Sequence, residues 1–384
     1  MRVEASLPEK PRSLNCPRCR GRQLVPFSYD SDILDLCTRC RGLWCEPHDW
    51  NPERLGSAPE DDPQGERAPD IVLTGHGDLK CPDCSEVMTT LGVEAVKNLE
   101  IDQCDRCGGV WFDHREWEYL EAIRAWQRHA VDSHRSTSVG EWFFQFLLRL
   151  PIEFNVPAHR FPAVTVGIIA SCFLLQILGG ANVFGALAFR AETLPTWTGV
   201  ATIFTHGFVH GDWFHLLTNM YFLYILGDNV EDVLGPFRFL ILYALSGLAA
   251  TLTFLVFHLD NTLPLVGASG AIAGIMAAYL LLFSHARLTF MLIVFQFKVP
   301  ATAWLAIWFL LQIIQAFLDV REGGSNIAWW AHIGGFALGF VLIGLFKKRL
   351  IERHTLLYLL HHRGLDRTAK ATNKSVYDAR VPRA

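Results

Sequence analysis

The sequence predicts a polytopic α-helical membrane protein preceded by two small β-rich metal-binding units. Three observations carry that reading. The 384 residues have a mean hydropathy of +0.23 with 51% hydrophobic and only 19% charged residues, a balance that excludes wholesale disorder. The charges are segregated. Residues 1–160 hold 19 Lys+Arg and 27 Asp+Glu, residues 161–346 hold only 5 and 8, and residues 347–384 hold 10 and 3. An acidic polar module, a membrane block and a basic tail therefore follow one another. Third, nine of the ten cysteines lie before residue 110. The first 30 residues contain no apolar segment, so no signal peptide is expected.

Eight of those cysteines repeat a pattern: Cys16-x-x-Cys19 with Cys37-x-x-Cys40, then Cys81-x-x-Cys84 with Cys104-x-x-Cys107. Cys40-Arg-Gly-Leu-Trp44 is answered by Cys107-Gly-Gly-Val-Trp111 after a shift of 67 residues, and Cys-Pro opens both copies. Two knuckles about 20 residues apart can bring four thiolates tetrahedrally around Zn²⁺. Units this small build little core of their own, so the metal supplies much of their folding energy. A disulfide framework or iron is the competing reading, and a reducing cytoplasm argues against disulfides. The spacing resembles the tandem zinc ribbons of the transcription-factor-IIB type. The resemblance covers about residues 14–116, within which residues 14–55 are expected as one ribbon, 56–77 by composition as a flexible linker rich in Pro, Gly and acids, and 78–116 as a second ribbon, with two structural Zn²⁺ from the eight cysteines. Cys45 stands just outside its tetrad and reads as a packed side chain. Zinc ribbons often bind nucleic acid. Arg18, Arg20, Arg22, Arg39 and Arg41 gather near the first ribbon, but an acidic module lacks the concentration of Lys and Arg that phosphates need. A cytoplasmic protein partner is the favoured reading over nucleic acid.

Residues 117–160 form a connector. Trp117, Leu120, Ile123 and Ala125 among charges predict an amphipathic helix over 116–127. Residues 141–150 either lie flat on the inner leaflet or pack on the ribbon.

Six apolar stretches approach the ~20 residues that cross a bilayer: 161–180, 213–234, 237–257, 264–284, 299–318 and 327–346. The run Leu288–Phe297 is too short to span and is expected in a loop or at the interface. Lys347-Lys348-Arg349 and Arg353 follow the last span and hold it in the cytoplasm. An even number of spans then places both termini in the cytoplasm of a plasma (inner) membrane, with residues 347–384 as a basic tail.

Polar groups inside apolar spans are costly and point to function. His206-x-x-x-His210 precedes the second span, and His215 and Asn219 share one face of it. Gly267-Ala-Ser269-Gly270 opens the fourth span, and His332 sits in the sixth. Each has an ordinary explanation, such as a serine bonded to its own helix or a histidine bridging two helices. The small residues Gly270, Gly274 and Ala277, with Gly335 and Gly339, are helix-packing devices. They lie on the helices that carry Ser269 and His332, so close packing would bring serine and histidine within reach. A histidine that takes its proton makes a serine nucleophilic.

Three segments together, His206-Gly-Phe-Val-His210-Gly-Asp-Trp-Phe-His215-Leu-Leu-Thr-Asn219, Gly267-Ala-Ser269-Gly270 and Ala331-His332-Ile-Gly-Gly335-Phe-Ala-Leu-Gly339, resemble the signatures of rhomboid intramembrane serine proteases in their order and on their helices. The resemblance covers about residues 161–346 and implies a six-helix rhomboid core. It implies Ser269 as nucleophile, His332 as general base, and His215, Asn219 and the Ser269 backbone N–H as oxyanion donors. It also implies that His206 and His210 shape the active-site end of the first loop and that Glu231 braces helices. The implied substrate is another protein's transmembrane segment within the lipid bilayer, cut without a metal in the chemistry. Two positions depart from the family: Ala273 stands where many members have a tyrosine against the histidine, and Trp197 is followed by Thr198 rather than arginine. The rival reading is a rhomboid-fold protein that binds transmembrane helices without cutting them.

Overall fold

The computed structural model describes residues 13–29, 32–46, 71–93, 99–119, 122–123, 152–153, 160–194, 196–258, 264–292, 295–322 and 327–363. The chain divides into two compact units, one of residues 1–128 with 355–384 and one of residues 129–354.

The first unit is built on one antiparallel sheet. Its strands are β1 (Val25–Tyr29), β2 (Asp32–Leu36), β3 (Leu43–Cys45), β4 (Ile71–Lys80), β5 (Val87–Val93), β6 (Glu100–Gln103) and β7 (Val110–Phe112), in the order β1-β2-β3-β7-β6-β5-β4. The repeat explains the order. β3 and β7 are the same strand of the two cysteine units, and they pair antiparallel with Trp44 opposite Trp111, Leu43 opposite Phe112 and Cys45 opposite Val110. The two ribbons thus join across a local twofold into a single sheet. The indoles interlock: a Cβ on Gly42 would fall into the ring of Trp111, and one on Gly109 into the ring of Trp44. Both tryptophans are fully buried, so glycine is required there for space. Cys45 is buried in the strand, as a packed side chain.

Two sequence expectations differ from the structure here, and a third lies mostly outside the described residues. The linker was expected to run to residue 77, but residues 71–77 belong to β4, whose Ile-Val-Leu-Thr start is rich in β-branched residues and pairs with β5. Residues 47–70 lie outside the described residues. The amphipathic connector is described only as a helical turn at 116–119 and at residues 122–123, with 141–150 outside the description. The tail is not all tail. Helix α8, described below, continues through Lys347–Arg349, and residues 355–363 fold within the first unit. There Tyr358 stacks on Tyr119 at 5.9 Å, with the Arg115 guanidinium over both rings.

The second unit is helical. Its long helices are α1 (Ala163–Leu178), α4 (Trp213–Leu234), α5 (Pro236–Phe257), α6 (Ser269–Leu282), α7 (Ala301–Glu322) and α8 (Trp329–Arg353). They coincide with the six apolar stretches. α5, α7 through Asp319, and α8 are long and apolar enough to cross a membrane, while α1 and α6 are apolar but shorter. Two short helices, α2 (Gly180–Leu187) and α3 (Trp197–Thr205), fill the connection between α1 and α4. Gly180, at φ 55, turns the chain between α1 and α2. Residues 287–300 form a hairpin of β9 (Arg287–Leu292) and β10 (Phe295–Pro300), to which β8 (Ile152–Glu153) adds a third strand. This is the short apolar run, and its Phe-Gln-Phe-Lys-Val alternation suits a strand.

α6 is the hub. Its residues Gly270 to Tyr279 are all buried, and it packs between α5 and α8. A Cβ on Gly335 or Gly339 of α8 would collide with the carbonyl oxygen of Gly270 or Gly274, and one on Gly270 with Ala250 of α5. Backbone lies on backbone along that seam, as expected where small residues replace hydrophobic burial as the packing device in lipid.

Candidate active site and metal centres

The seam sets the distance between the two chemical groups. Ser269 is the first residue of α6, and His332 lies in the first turn of α8. Ser269 Oγ is 2.8 Å from His332 Nε2. Both side chains are partly accessible. The other ring nitrogen, Nδ1, is 2.7 Å from Oε1 of Gln312 on α7. Trp308 and Trp329 flank the imidazole at 6.0 and 6.3 Å between centroids. Ala273 is fully buried, so the ring is held from α7 and by the two indoles rather than from that position.

The loop before Ser269 is shaped by the expected residues. Gly267 has φ 102, and a Cβ there would lie 2.7 Å from the His215 ring and 3.6 Å from Asn219 Nδ2. Glycine is needed on both counts. His206 O accepts the Gly267 N–H at 3.0 Å, and His210 Nε2 accepts the Ala268 N–H at 3.4 Å. His206 Nε2 in turn bonds Thr251 Oγ1 of α5 at 2.9 Å. Asp212 caps α4 by accepting the His215 N–H at 2.8 Å, which fixes the start of the helix that presents His215 and Asn219. Asn219 is buried, and among the described residues its Nδ2 donor has no partner. An unsatisfied buried donor is expensive, and this one lies 3.6 Å from where a Cβ on Gly267, two residues before Ser269, would stand.

Glu231 stands away from this cluster. Its carboxylate accepts the N–H groups of Val164 and Thr165 at 2.9 and 2.8 Å and the Thr165 hydroxyl at 2.8 Å. It thereby caps α1 from α4 and satisfies donors that the start of a helix leaves open.

Residues 197–349 match the model of the Rhomboid domain. This part of the chain is a rhomboid domain. Rhomboid protein 1, mitochondrial, of Saccharomyces cerevisiae is 32% identical over 160 residues, 41% of this chain and 44% of that protein. RHOMBOID-like protein 12, mitochondrial, of Arabidopsis thaliana is 33% identical over 156 residues, 36% of this chain and 44% of that one. Rhomboid protease GluP of Bacillus subtilis is 30% identical over 201 residues, 49% of this chain and 36% of the relative. The chain spans less than half the length of these relatives. With its apolar helices, the rhomboid domain makes the chain an integral membrane protein.

The ribbon unit lies ahead of the rhomboid domain in sequence, and residues 80–122 match the transcription-factor zinc-finger model. Cys16, Cys19, Cys37 and Cys40 converge, as do Cys81, Cys84, Cys104 and Cys107, with the sulfurs of each group within 4.8 Å of one another. Sulfur pairs stand 3.6 Å apart at Cys16–Cys40 and Cys81–Cys107, and 3.3 Å apart at Cys84–Cys104. A tetrahedral Zn–S distance of about 2.3 Å asks for roughly 3.8 Å between sulfurs, so both sets fit. Backbone N–H groups of Cys19 and Cys84 point at the sulfurs of Cys16 and Cys81 at 3.2 and 3.4 Å. Burial raises the Cys37 thiol, but N–H groups of Cys40 and Arg39 and the sulfur of Cys16 outweigh it and bring it down to about 7. Burial raises the Cys16 and Cys40 thiols of the same set, so without a metal the four do not all favour the thiolate.

Sequence reasoning missed Gln312. Its signal was partial: a carboxamide in a mostly apolar stretch that also holds Gln315. Asp212 and Thr251, which position His215 and His206, were missed because each is an unremarkable polar residue whose partner is set only by the fold.

Proposed function

We propose that this chain is an intramembrane serine endopeptidase that hydrolyses a peptide bond in or near the transmembrane segment of another membrane protein. The observation that carries the proposal is the 2.8 Å Ser269 Oγ–His332 Nε2 approach, with an Asn219 Nδ2 that has no partner among the described residues. Ser269 attacks the scissile carbonyl carbon and its proton passes to His332 Nε2. The oxyanion is met by Asn219 Nδ2, His215 and the Ser269 N–H. Collapse breaks the C–N bond, His332 returns the proton to the leaving amine, and water then hydrolyses the acyl ester by the same steps. A helical substrate must first unwind, because its carbonyls are otherwise bonded within the helix.

In this reading α1, α4, α5, α6, α7 and α8 are six spans, both termini are cytoplasmic, and the dyad lies near the outer face. The basic cluster after α8 supports that orientation. Each Cys₄ group holds one structural Zn²⁺, with Cys16, Cys19, Cys37 and Cys40 in one and Cys81, Cys84, Cys104 and Cys107 in the other. The metal serves folding, not the peptide chemistry, and the ribbon unit offers a surface to a cytoplasmic protein partner.

The test is cleavage of a generic single-pass substrate in detergent, alongside labelling by a fluorophosphonate. Wild type should cut and be labelled, while Ser269→Ala and His332→Ala should do neither. Labelling that survives Ser269→Ala overturns the assignment.

A further inference from the structure

The proposed mechanism needs His332 in one protonation form: Nε2 bare to take the serine proton, with the ring's single proton on Nδ1. Nothing in Ser269 enforces this, because a hydroxyl can donate to a bare Nε2 or accept from a protonated one. The choice must come from the other side of the ring. There Gln312, itself buried, meets Nδ1 at 2.7 Å. A carboxamide could face Nδ1 with its oxygen or its nitrogen, and only the oxygen gives the working form. The amide is held one way: its Nε2 is 3.4 Å from the carbonyl oxygen of Trp308, one turn earlier on α7. Turned over, Gln312 would set its oxygen against that carbonyl and its NH₂ against Nδ1. It would lose one bond and drive the proton onto Nε2.

We infer that Gln312 is a positioning residue for His332: its carboxamide oxygen, oriented by the Trp308 carbonyl, accepts the Nδ1 proton and leaves Nε2 bare toward Ser269. The inference rests on the serine–histidine reading above and extends the pair to a chain Trp308 O, Gln312, His332, Ser269 that ties α7 to α8 and α6. A neutral acceptor does this without a buried carboxylate and its desolvation cost. Among the described residues, the other titratable group acting on the ring is His215 of α4; α6 and α7 offer the neutral Ser269 and Gln312.

The experiment uses the full-length protein in detergent and three measurements: the rate of fluorophosphonate labelling, kcat and KM on a single-pass substrate, and the melting temperature. Gln312→Leu should lower labelling and kcat by about tenfold or more, since each tenfold corresponds to about 1.4 kcal/mol of barrier and one hydrogen bond is worth about that. KM should stay near wild type, and melting should fall by no more than the loss of one buried hydrogen bond brings. Gln312→Glu keeps an acceptor oxygen and should restore most of the rate. Its carboxylate also favours the imidazolium, so the acid limb of the pH–rate profile should move to higher pH. If Gln312→Leu matches wild type within about twofold, Gln312 does not position the ring. If Gln312→Leu does not fold, Gln312→Glu decides alone: an unmoved acid limb overturns the inference. A wild type that is neither labelled nor active sinks the protease reading and this inference with it, whereas active wild type with indifferent Gln312 variants sinks only the inference.

Discussion

Gly335→Ala tests the seam between α6 and α8. The added Cβ would lie inside the contact distance of the Gly270 carbonyl oxygen, backbone that cannot rotate away. Clearing it requires the helices to part by roughly 1 Å, a displacement that can cost on the order of 10²-fold in rate when it separates reacting groups. Gly270 adjoins Ser269 and Gly335 lies one turn past His332, so the separation acts where Oγ and Nε2 now stand 2.8 Å apart. Added to that distance it leaves no useful hydrogen bond. Alanine is otherwise the better helix residue, by about 0.5–1 kcal/mol over glycine, so any loss measured is the clash alone. The assay is fluorophosphonate labelling and substrate cleavage in detergent beside a melting curve, with Gly344→Ala as control, since a Cβ there meets nothing within 4 Å. Gly335→Ala should be about 10²-fold slower and melt lower, and Gly344→Ala should match wild type. Gly335→Ala with wild-type rate and melting would refute the claim that this seam sets the catalytic distance.

Asn219→Ala should lower turnover by about 10²–10³ while the protein stays folded, read as kcat on the same substrate; an unchanged kcat places the oxyanion elsewhere. Gly109→Ala, in the second ribbon, should loosen the first, because its Cβ meets Trp44. Overpacking of this kind costs about 1–3 kcal/mol, and chelator-driven release of both metals should quicken, whereas Gly75→Ala, whose Cβ meets nothing within 4 Å, should not change it. Burial, reinforced by Asp113 and Asp102, pushes the Glu116 carboxyl up to about 8. A folded-state value above the unfolded one means stability is fullest below the ordinary carboxylate range and is lost as pH rises toward 8. Glu116→Gln should therefore melt higher than wild type at pH 8, each kcal/mol being worth about 4–8 °C in a domain of 60–100 residues. The difference should vanish near pH 4; a gap that does not change with pH rejects the cause.

What was legible in the sequence was what lipid or metal makes costly to misplace. Ser269, His332, His215 and Asn219 stood out because apolar spans expose polar residues by contrast, and the eight cysteines stood out by their spacing. Both groups converge in the structure. Gln312 should have stood out by the same rule, but an amide carries no charge and names no partner. α2 and α3 were illegible because short helices in a connection leave too few turns for a periodic signal. The hairpin at 287–300 was seen only as a run too short to span, although every second residue of Phe295–Val299 is apolar. The start of β4 was lost in a segment whose composition reads as linker until Ile71.

The interlock of the two ribbons has a consequence for the order in which the chain is made. When residues 13–46 leave the ribosome, β3 has β2 on one side and nothing on the other, and the ring that fills the space over Gly42 is still 69 residues away at Trp111. The first ribbon cannot finish until the second has been synthesised, because its central strand is at that stage an edge strand with an uncovered tryptophan. Contacts this distant in sequence close slowly, and an open edge is a site for wrong pairing. Nascent chains stalled before residue 112 should therefore be the ones that aggregate or hold a chaperone, and release should come with the arrival of β7, just after Cys104-x-x-Cys107, rather than with the first helix of the membrane block.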